Sequence, residues 1–186
     1  DLAALAGGAA AALVARVPDG VSPAAPLLIV ADTQKALEDL GRASRARSSA
    51  RIIAVTGSAG KTTAKEMLRT LLTRFGSVSA SSASYNNHWG VPLSLARMPK
   101  NCQYGVFEVG MNHAGEIRAL IAQVRPEIAI VTTVAPAHLA NFGSVEKIAD
   151  AKAEIFEGLT ANRLAIVPAE NSQTERLIQR ARAVRS

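Results

Sequence analysis

A short loop rich in glycine constrains the fold of this chain more than any other feature. The loop, Gly57-Ser58-Ala59-Gly60-Lys61-Thr62-Thr63, follows the apolar run Ile52–Val55 and precedes a helix predicted over roughly Thr62–Arg74. Such loops bind phosphate when they join a strand to a helix. Their glycines let backbone N–H groups approach phosphate oxygens without a Cβ in the way, and the helix adds the positive end of its dipole. The sequence therefore predicts a phosphate-binding loop on a strand–loop–helix unit.

The residue types within this loop indicate ATP and Mg²⁺. Lys61 can reach the β- and γ-phosphates, and the Thr62 hydroxyl can bind the metal ion. The loop departs from the general pattern G-x-x-x-x-G-K-[ST], because Val55 stands where that pattern has its first glycine. It is instead the shorter form T-G-x-x-G-K-T-T, which begins at Thr56. The preceding strand, the lysine and the paired threonines favour a nucleotide site over an ordinary glycine turn.

Apolar runs and helical segments alternate through the rest of the chain. The apolar runs are Ile52–Val55, Val106–Val109, Ile128–Val131 and Leu164–Val167. Helices are predicted after each of them, near Thr62–Arg74, Gly115–Gln123, Ser144–Phe156 and beyond Asn171. Strands that alternate with helices pair in parallel, with helices on both faces of the sheet. The fold class is therefore α/β, a P-loop-type parallel sheet flanked by helices.

The first 48 residues predict part of a smaller α/β unit. Residues 2–14 have the composition of a small-residue helix, and Leu27–Val30 is a short buried strand. Asp32 or Thr33 can cap the helix that follows. The polar and basic segment Arg42–Ser49 is the predicted linker to the larger domain.

Composition excludes several classes of protein. Apolar residues make up 48% of the chain and charged residues 19%, which predicts a packed core rather than disorder. The net charge of +6 is not interleaved with aromatic residues, so we expect no nucleic-acid partner. The single cysteine, Cys102, is typical of a reducing compartment such as the cytoplasm. The apolar start, Leu2–Val14, is too short to cross a bilayer and has no basic flank, so no membrane insertion is expected.

Polar residues past the strand ends are candidates for the same site, because ligands of parallel sheets lie beyond the carboxyl ends of the strands. Glu108 is either a Mg²⁺ ligand or half of a buried salt bridge. His138 is either a ligand or a hydrogen-bonded structural residue, and Lys152 is interpreted as a solvent-facing lysine on a helix. Loop side chains whose role stays open are Asn86, Asn87 and His113.

Several stretches together resemble the Mur ligase family. They are Thr56–Glu66, Asn86–Leu95, Phe107–Ile117, Ala137–Ser144 and Ala151–Leu159, in the family's order. The glycine loop alone indicates only the wider family. The stretches NNHWGVPLSL and FEVGMNHAGEI are similar to those of its dipeptide-adding branch.

The resemblance implies a domain organisation. Residues 49–186 correspond to the ATP-binding central domain, incomplete at its adenine end, and residues 1–48 to the last part of a UDP-sugar-binding N-terminal domain. Nothing in the chain resembles the C-terminal domain that binds the acceptor. The chain by itself is therefore expected to be inactive as an enzyme.

The resemblance also implies a reaction and its participants. The enzyme would be an ATP-dependent acid–amino-acid ligase of peptidoglycan precursor synthesis, joining D-alanyl-D-alanine to UDP-N-acetylmuramoyl-tripeptide. A cytoplasmic monomer is the expected form. Three alternatives stay open: a related ligase for another amino acid or for folate, a P-loop kinase or ATPase, and a non-catalytic nucleotide-binding module.

Matching positions in the family imply roles for individual residues. Lys61 and Thr62 would hold phosphate and the first of two Mg²⁺ ions, and Glu108 would be a metal ligand. His138 would help to bind the second ion. Lys152 matches a lysine that this family carbamylates, which would turn a cation into an anionic ligand. Residues that match segments contacting the muramoyl substrate are Asn86, Asn87 and His113.

Overall fold

The computed structural model of the chain describes residues 2–22, 24–137, 139–160 and 163–184. The strands within these ranges are β1 (Ala12–Val14), β2 (Leu27–Ile29), β3 (Arg51–Thr56), β4 (Val78–Ala80), β5 (Tyr104–Glu108), β6 (Ile128–Val131) and β7 (Leu164–Ile166). The helices are α1 (Leu2–Ala6), α2 (Thr33–Ala46), α3 (Lys61–Leu72), α4 (Gly90–Ala96), α5 (Glu116–Val124), α6 (Leu139–Phe142), α7 (Val145–Ala153) and α8 (Thr174–Ala183). A 3₁₀ helix, Glu154–Gly158, continues α7.

A five-stranded parallel sheet organises residues 51 to 166, in the order β4-β5-β3-β6-β7. Strand β3 lies at its centre and is buried from Ile52 to Thr56, as expected for a strand covered on both faces. The glycine loop follows directly from its carboxyl end. The ends of the neighbouring strands β5 and β6 flank the loop, so their last residues share its edge of the sheet. This edge is where parallel sheets place their ligands.

The two faces of the sheet pack against different helices. On one face, Ile53, Val55 and Val106 contact the apolar side of α3, which carries Ala64, Leu68 and Leu72. On the other face, a larger core includes residues of α4, α5, α7, the 3₁₀ helix and α8. This second layer includes Ala151 and Ala153, at the end of α7.

The N-terminal segment forms a parallel pair, β1 with β2, followed by α2. The carboxylate of Asp32 accepts hydrogen bonds from Gln34 N and Lys35 N at 2.8 and 3.0 Å, which confirms it as the cap of α2. Helix α2 packs closely on α4, because Gly41 has no side chain where a Cβ would meet Pro92 O at 3.0 Å. No helix in the described ranges is long and apolar enough to cross a membrane.

Three predictions for the first 50 residues are wrong. The strand predicted at Leu27–Val30 forms as β2, but it is not buried, since Leu28 and Ile29 are 55% and 58% exposed. The small-residue helix predicted over residues 2–14 ends at Ala6, and Ala12–Val14 is a strand. Gly8, with φ of 93°, turns the chain there. The predicted linker Arg42–Ser49 is helical as far as Ala46. A polar side chain of this segment attaches α2 to the end of α5, because Arg45 donates to the carbonyls of Val124 and Arg125 at 2.8 and 3.0 Å.

The predicted strands and helices from residue 51 onward are confirmed, with shifts of one or two residues at most boundaries. Three elements were not predicted: β4, α4 and the four-residue helix α6. Strand β4 is only three residues long, and α4 begins with Gly90 and carries Pro92, which are weak helix formers. Strand β4 is held by its parallel pairing with β5, and α4 by burial against α2.

Candidate functional site

Hydrogen bonds attach the glycine loop to the segment that follows β6. Ser58 N donates to Thr133 O at 2.9 Å, and the Ser58 hydroxyl donates to Ala135 O at 3.0 Å and accepts from Ala135 N at 2.9 Å. The Thr132 hydroxyl donates to Ala59 O at 2.6 Å. The loop is therefore preformed, because its shape is set by contacts with the protein itself.

The two glycines keep side chains away from the inner surface of the loop. A Cβ on Gly57 would lie 1.9 Å from the Thr132 hydroxyl oxygen, so only glycine fits. Gly60 has φ of 78° and precedes the first turn of α3, whose N-terminus receives no side-chain cap from the residues that the structure describes. The first N–H groups of α3 are thus left for an external acceptor, which is the arrangement that binds phosphate. The loop fits a nucleotide phosphate on this geometry.

Lys61 begins α3 and folds back over the loop. Its ammonium donates to Gly57 O at 2.9 Å, and its side chain lines a neighbouring cavity. The lysine is therefore beside the position that a phosphate would take at the helix N-terminus.

Thr62 and Glu108 meet at this edge of the sheet. The Thr62 hydroxyl donates to Glu108 Oε2 at 2.8 Å, and Asn86 Nδ2 donates to Glu108 Oε1 at 2.6 Å. Glu108 is only 1% exposed. Its carboxylate and the Thr62 hydroxyl are oxygen donors close enough to bind one ion, and oxygen donors are what Mg²⁺ prefers.

The alternative interpretation of Glu108 as half of a buried salt bridge does not hold among the described residues, where its side-chain partners are Thr62 and Asn86. No cluster of three or more His, Cys, Asp or Glu side chains with metal-binding geometry occurs in the same ranges. Mg²⁺ commonly takes one or two carboxylates and completes its shell with water and substrate phosphates. A single glutamate with a threonine hydroxyl is compatible with that mode of binding.

Lys152, in the last turn of α7, is buried with 3% of its surface exposed. The interpretation of this residue as a solvent-facing helix lysine is therefore wrong. Burial, and secondarily the positive charge of Lys61, lower the pKa of Lys152 from 10.5 to about 8. A larger share of this amine is thus neutral near physiological pH than of an exposed lysine. The charge that acts on Lys152 is that of Lys61, the lysine of the glycine loop.

A cavity of about 600 Å³ opens next to Lys61, between α2, α5 and the loop before α4. The three predicted substrate residues all line it. Asn87 also has a structural task, because its Oδ1 accepts from Trp89 N and Gly90 N at the start of α4. His113 is exposed, with Nδ1 3.2 Å from Glu116 Oε1. Asn86 is the one that reaches Glu108.

His138, predicted as a metal ligand, lies outside the residues that the structure describes.

Four residues of this region escaped the sequence-based prediction. Thr132 holds the loop, and Ser81 accepts a hydrogen bond from Glu108 N at 3.2 Å. Gln123 is buried in the cavity wall with no hydrogen-bond partner for Oε1 among the described atoms. Lys65 is fully buried. None of them stands in a pattern that marks a site, although Lys65 falls within the stretch that resembles the family.

The fold and the loop together define a P-loop-type nucleotide-binding domain of the α/β class. The family described as "Mur ligase middle domain" matches residues 55–185. The chain therefore belongs to the Mur ligase family, as the sequence stretches predict.

Individual relatives agree with this assignment. The chain is 44% identical over 167 residues to UDP-N-acetylmuramoyl-tripeptide–D-alanyl-D-alanine ligase of Escherichia coli (strain K12), covering 90% of this chain and 36% of that protein. It is 39% identical over 140 residues to the Bacillus subtilis (strain 168) ligase of the same name, covering 75% and 31%. The chain thus spans about a third of the length of these relatives.

Solved structures show the same fold. A crystal structure of MurF from Acinetobacter baumannii matches with a TM-score of 0.83 and 37% identity, over 92% of this chain and 37% of that one. The MurF ligase of Thermotoga maritima, solved in complex with ADP, matches with a TM-score of 0.81 and 30% identity, over 98% and 42%. The parallel sheet with helices on both faces is thereby confirmed.

Proposed function

We propose that this chain is the phosphate-binding part of an ATP-dependent ligase that joins D-alanyl-D-alanine to UDP-N-acetylmuramoyl-tripeptide. The observation that carries the proposal is that the glycine loop with Lys61 and the Thr62–Glu108 pair share one edge of the sheet. The positive charge of Lys61 also acts on the buried amine of Lys152. Similarity to ligases with this name supports the choice of substrates.

In the proposed reaction, the terminal carboxylate of the tripeptide attacks the γ-phosphorus of ATP and becomes an acyl phosphate, with ADP as leaving group. The amine of D-alanyl-D-alanine then attacks the acyl carbon. The tetrahedral intermediate expels phosphate and leaves an amide. Positioning and charge neutralisation account for the catalysis of such phosphoryl transfers, because little covalent chemistry falls to the protein.

Each residue of the site has a task in this scheme. Lys61 and the N–H groups at the start of α3 bind and orient the phosphates. Thr62 and Glu108 hold Mg²⁺, which when bound offsets the negative charge on the phosphates. Asn86 fixes the Glu108 carboxylate through its 2.6 Å hydrogen bond.

Lys152 carries the least usual part of the proposal, a carbamate formed with CO₂. The neutral amine is the form that attacks CO₂, so the lowered pKa of Lys152 favours the reaction. A proton is released as the N–C bond forms, and the product is anionic. That anion would be attracted by the Lys61 ammonium and would serve as an oxygen ligand for the metal, with His138 proposed as a ligand of a second Mg²⁺ ion.

The remaining parts of the proposal concern organisation and substrate. Asn87 and His113 line the cavity beside Lys61, where the muramoyl substrate is proposed to bind. Residues 1–48 are proposed to be part of a UDP-sugar-binding domain and residues 49–186 part of the ATP-binding domain. We also propose that the enzyme is a cytoplasmic monomer.

The decisive experiment measures adduct formation by the complete protein of which this chain is proposed to be a part. UDP-N-acetylmuramoyl-tripeptide, D-alanyl-D-alanine, ATP and Mg²⁺ are expected to yield the pentapeptide product and ADP. Residues 1–186 alone are expected to yield none. Preference for another acceptor would indicate a related ligase, and ATP hydrolysis insensitive to Lys152→Ala would indicate an ATPase or kinase. An active complete enzyme that tolerates loss of Glu108 would contradict the proposed metal site.

The Lys61 ammonium is expected to contribute strongly to nucleotide affinity. Lys61→Ala should weaken binding of ATP–Mg²⁺ to the chain by about tenfold to a hundredfold, because a charge-assisted hydrogen bond to phosphate contributes about 1.5–3 kcal/mol. Isothermal titration calorimetry measures the change. Lys35→Ala, at an exposed position of α2, is the control for loss of positive charge. Equal affinities of the Lys61 variant and the wild type would contradict the role of Lys61.

A further inference from the structure

Lys65, one turn after the glycine loop, is a fully buried lysine whose ammonium has three acceptors. Its exposed fraction is 0%. Its Nζ donates to Ser81 O and to Ala83 O, both at 2.8 Å, and lies 3.0 Å from Glu66 Oε1. An ammonium group has three donors, so each one is used. Two of the three hold backbone carbonyls of a single segment.

That segment follows β4 and has a strained backbone. Ala83 has φ of 44°, in the left-handed region that disfavours residues with a Cβ. The structure around a strained residue must hold it in place, or the chain relaxes. Lys65 bonds to the carbonyl of Ala83 itself and to that of Ser81 two residues earlier. The strained turn is thus held from the adjacent helix α3.

The same segment supports both sides of Glu108. Ser81 Oγ accepts a hydrogen bond from Glu108 N at 3.2 Å. Three residues after Ala83, the side chain of Asn86 donates from Nδ2 to Glu108 Oε1 at 2.6 Å. The backbone carbonyl oxygen of Asn86 accepts a hydrogen bond from Gly110 N at 2.7 Å. The backbone that Lys65 holds therefore determines where the Asn86 amide and the Glu108 carboxylate lie.

We propose that Lys65 is a positioning residue for the Glu108 carboxylate, acting through the Ser81–Asn86 segment. The inference rests on the proposed function only in taking Glu108 as a ligand of Mg²⁺ bound with ATP. Thr62 comes from the start of α3, and Lys65 holds the segment from the next turn of the same helix. One helix thereby sets both oxygen donors of the site relative to the phosphate loop.

A stabilising role alone does not account for this arrangement. Burying an ammonium carries a desolvation cost, and apolar residues of similar volume frequently replace buried charges without loss of stability. What the buried lysine specifically provides is a fixed orientation of the Ser81 and Ala83 carbonyls, which both accept from its ammonium. Its removal should therefore change the metal-dependent part of nucleotide binding more than nucleotide binding as such.

The test compares Lys65→Met with the wild-type chain by fluorescence titration with a mant-labelled ATP, once with Mg²⁺ and once with EDTA. Lys65→Met is expected to lose about tenfold in the affinity measured with Mg²⁺, and less than about threefold in EDTA. Glu66→Gln is the matched control, since it removes the 3.0 Å ion pair and leaves both carbonyl bonds. That variant should keep the wild-type ratio of the two affinities.

A second measurement does not depend on nucleotide. Hydrogen–deuterium exchange in peptides that cover residues 81–87 and 108–110 should accelerate about tenfold in Lys65→Met, while β6 keeps its protection. Folded Lys65→Met with unchanged exchange in these peptides, or with equal losses of affinity in Mg²⁺ and EDTA, overturns the proposal. If Lys65→Met does not fold, Lys65→Gln, whose polar amide is one bond too short to replace Nζ at both carbonyls, is judged by the same criteria. A wild-type chain that binds mant-ATP without any effect of Mg²⁺ would contradict the metal site, and the exchange data would still decide the role of Lys65.

Discussion

Gly57→Ala is expected to lower the free energy of unfolding of this chain by about 3 kcal/mol, the upper end for overpacking a closely packed position. The cause is a direct collision, because the new Cβ would lie 1.9 Å from Thr132 Oγ1 and 3.2 Å from Ala59 O. The same change should abolish measurable nucleotide binding, since the displaced loop no longer presents its N–H groups correctly.

The collision cannot be relieved by a small movement of one side chain. The Thr132 hydroxyl donates to Ala59 O at 2.6 Å and lies 3.2 Å from Thr56 O, so turning it away breaks bonds that fix the loop. Moving the loop instead breaks the hydrogen bond of Ser58 N to Thr133 O. Either adjustment sacrifices the contacts that preform the site.

Gly143→Ala is a matched control for this prediction. Gly57 and Gly143 both have positive φ, 155° and 75°, but a Cβ added at Gly143 would meet no atom of the described residues within 4 Å. Its replacement should cost only about 1 kcal/mol, from the left-handed backbone. Urea denaturation followed by circular dichroism gives both values. Equal destabilisation by the two substitutions would show that backbone conformation, and not the contact with Thr132, makes glycine necessary at position 57.

The sheet could be predicted from the sequence because its central strands are buried on both faces and appear as continuous apolar runs. Ile128–Val131 has the same bounds in the prediction and the structure. The glycine loop was equally clear, since the need for close backbone approach leaves a visible pattern of Gly57 and Gly60. Apolar runs and glycine patterns are local features of the sequence, so they predict structure without knowledge of distant contacts.

Burial of single polar residues could not be predicted, because it depends on elements far apart in the chain. The residues next to Lys152 in the sequence are typical of an exposed helix, and Lys152 is buried only because α7 packs against the core. Lys65 likewise gains its two backbone acceptors from Ser81 and Ala83, which follow it in the chain only after the rest of α3 and β4. For Lys152, the resemblance to the family suggested a site role that periodicity alone did not.

Lys152→Met is expected to raise the free energy of unfolding at about pH 7 by about 3 kcal/mol, the value that corresponds to a pKa lowered from 10.5 to about 8. Methionine fills a similar volume without a charge to desolvate. A protein that keeps a buried ammonium at this position therefore bears a stability cost, which we attribute to the proposed role of the amine at the phosphate site.

The sign of the pH dependence follows from the direction of the pKa change. Between pH 8 and 10.5 the unfolded chain binds more protons at Lys152 than the folded chain, so wild-type stability rises with pH in this window. The difference in free energy of unfolding between Lys152→Met and the wild type should accordingly decrease by about 2 kcal/mol between about pH 7 and about pH 10. Urea denaturation of both proteins in CO₂-free buffer measures the narrowing. A constant difference across this range would show that Lys152 has no lowered pKa.

Addition of bicarbonate then tests whether the buried amine of Lys152 also reacts with CO₂. Lys147→Met, at an exposed position of the same helix, controls for the loss of a lysine as distinct from the loss of a buried one. Added ¹³C-bicarbonate at about pH 8 should give a carbamate resonance in the wild type and in Lys147→Met, and none in Lys152→Met. It should also raise the stability of the first two proteins, because the carbamate replaces the repulsion between Lys152 and Lys61 with attraction. A narrowing pH difference without a carbamate signal would retain the lowered pKa and refute the carbamylated ligand in this chain.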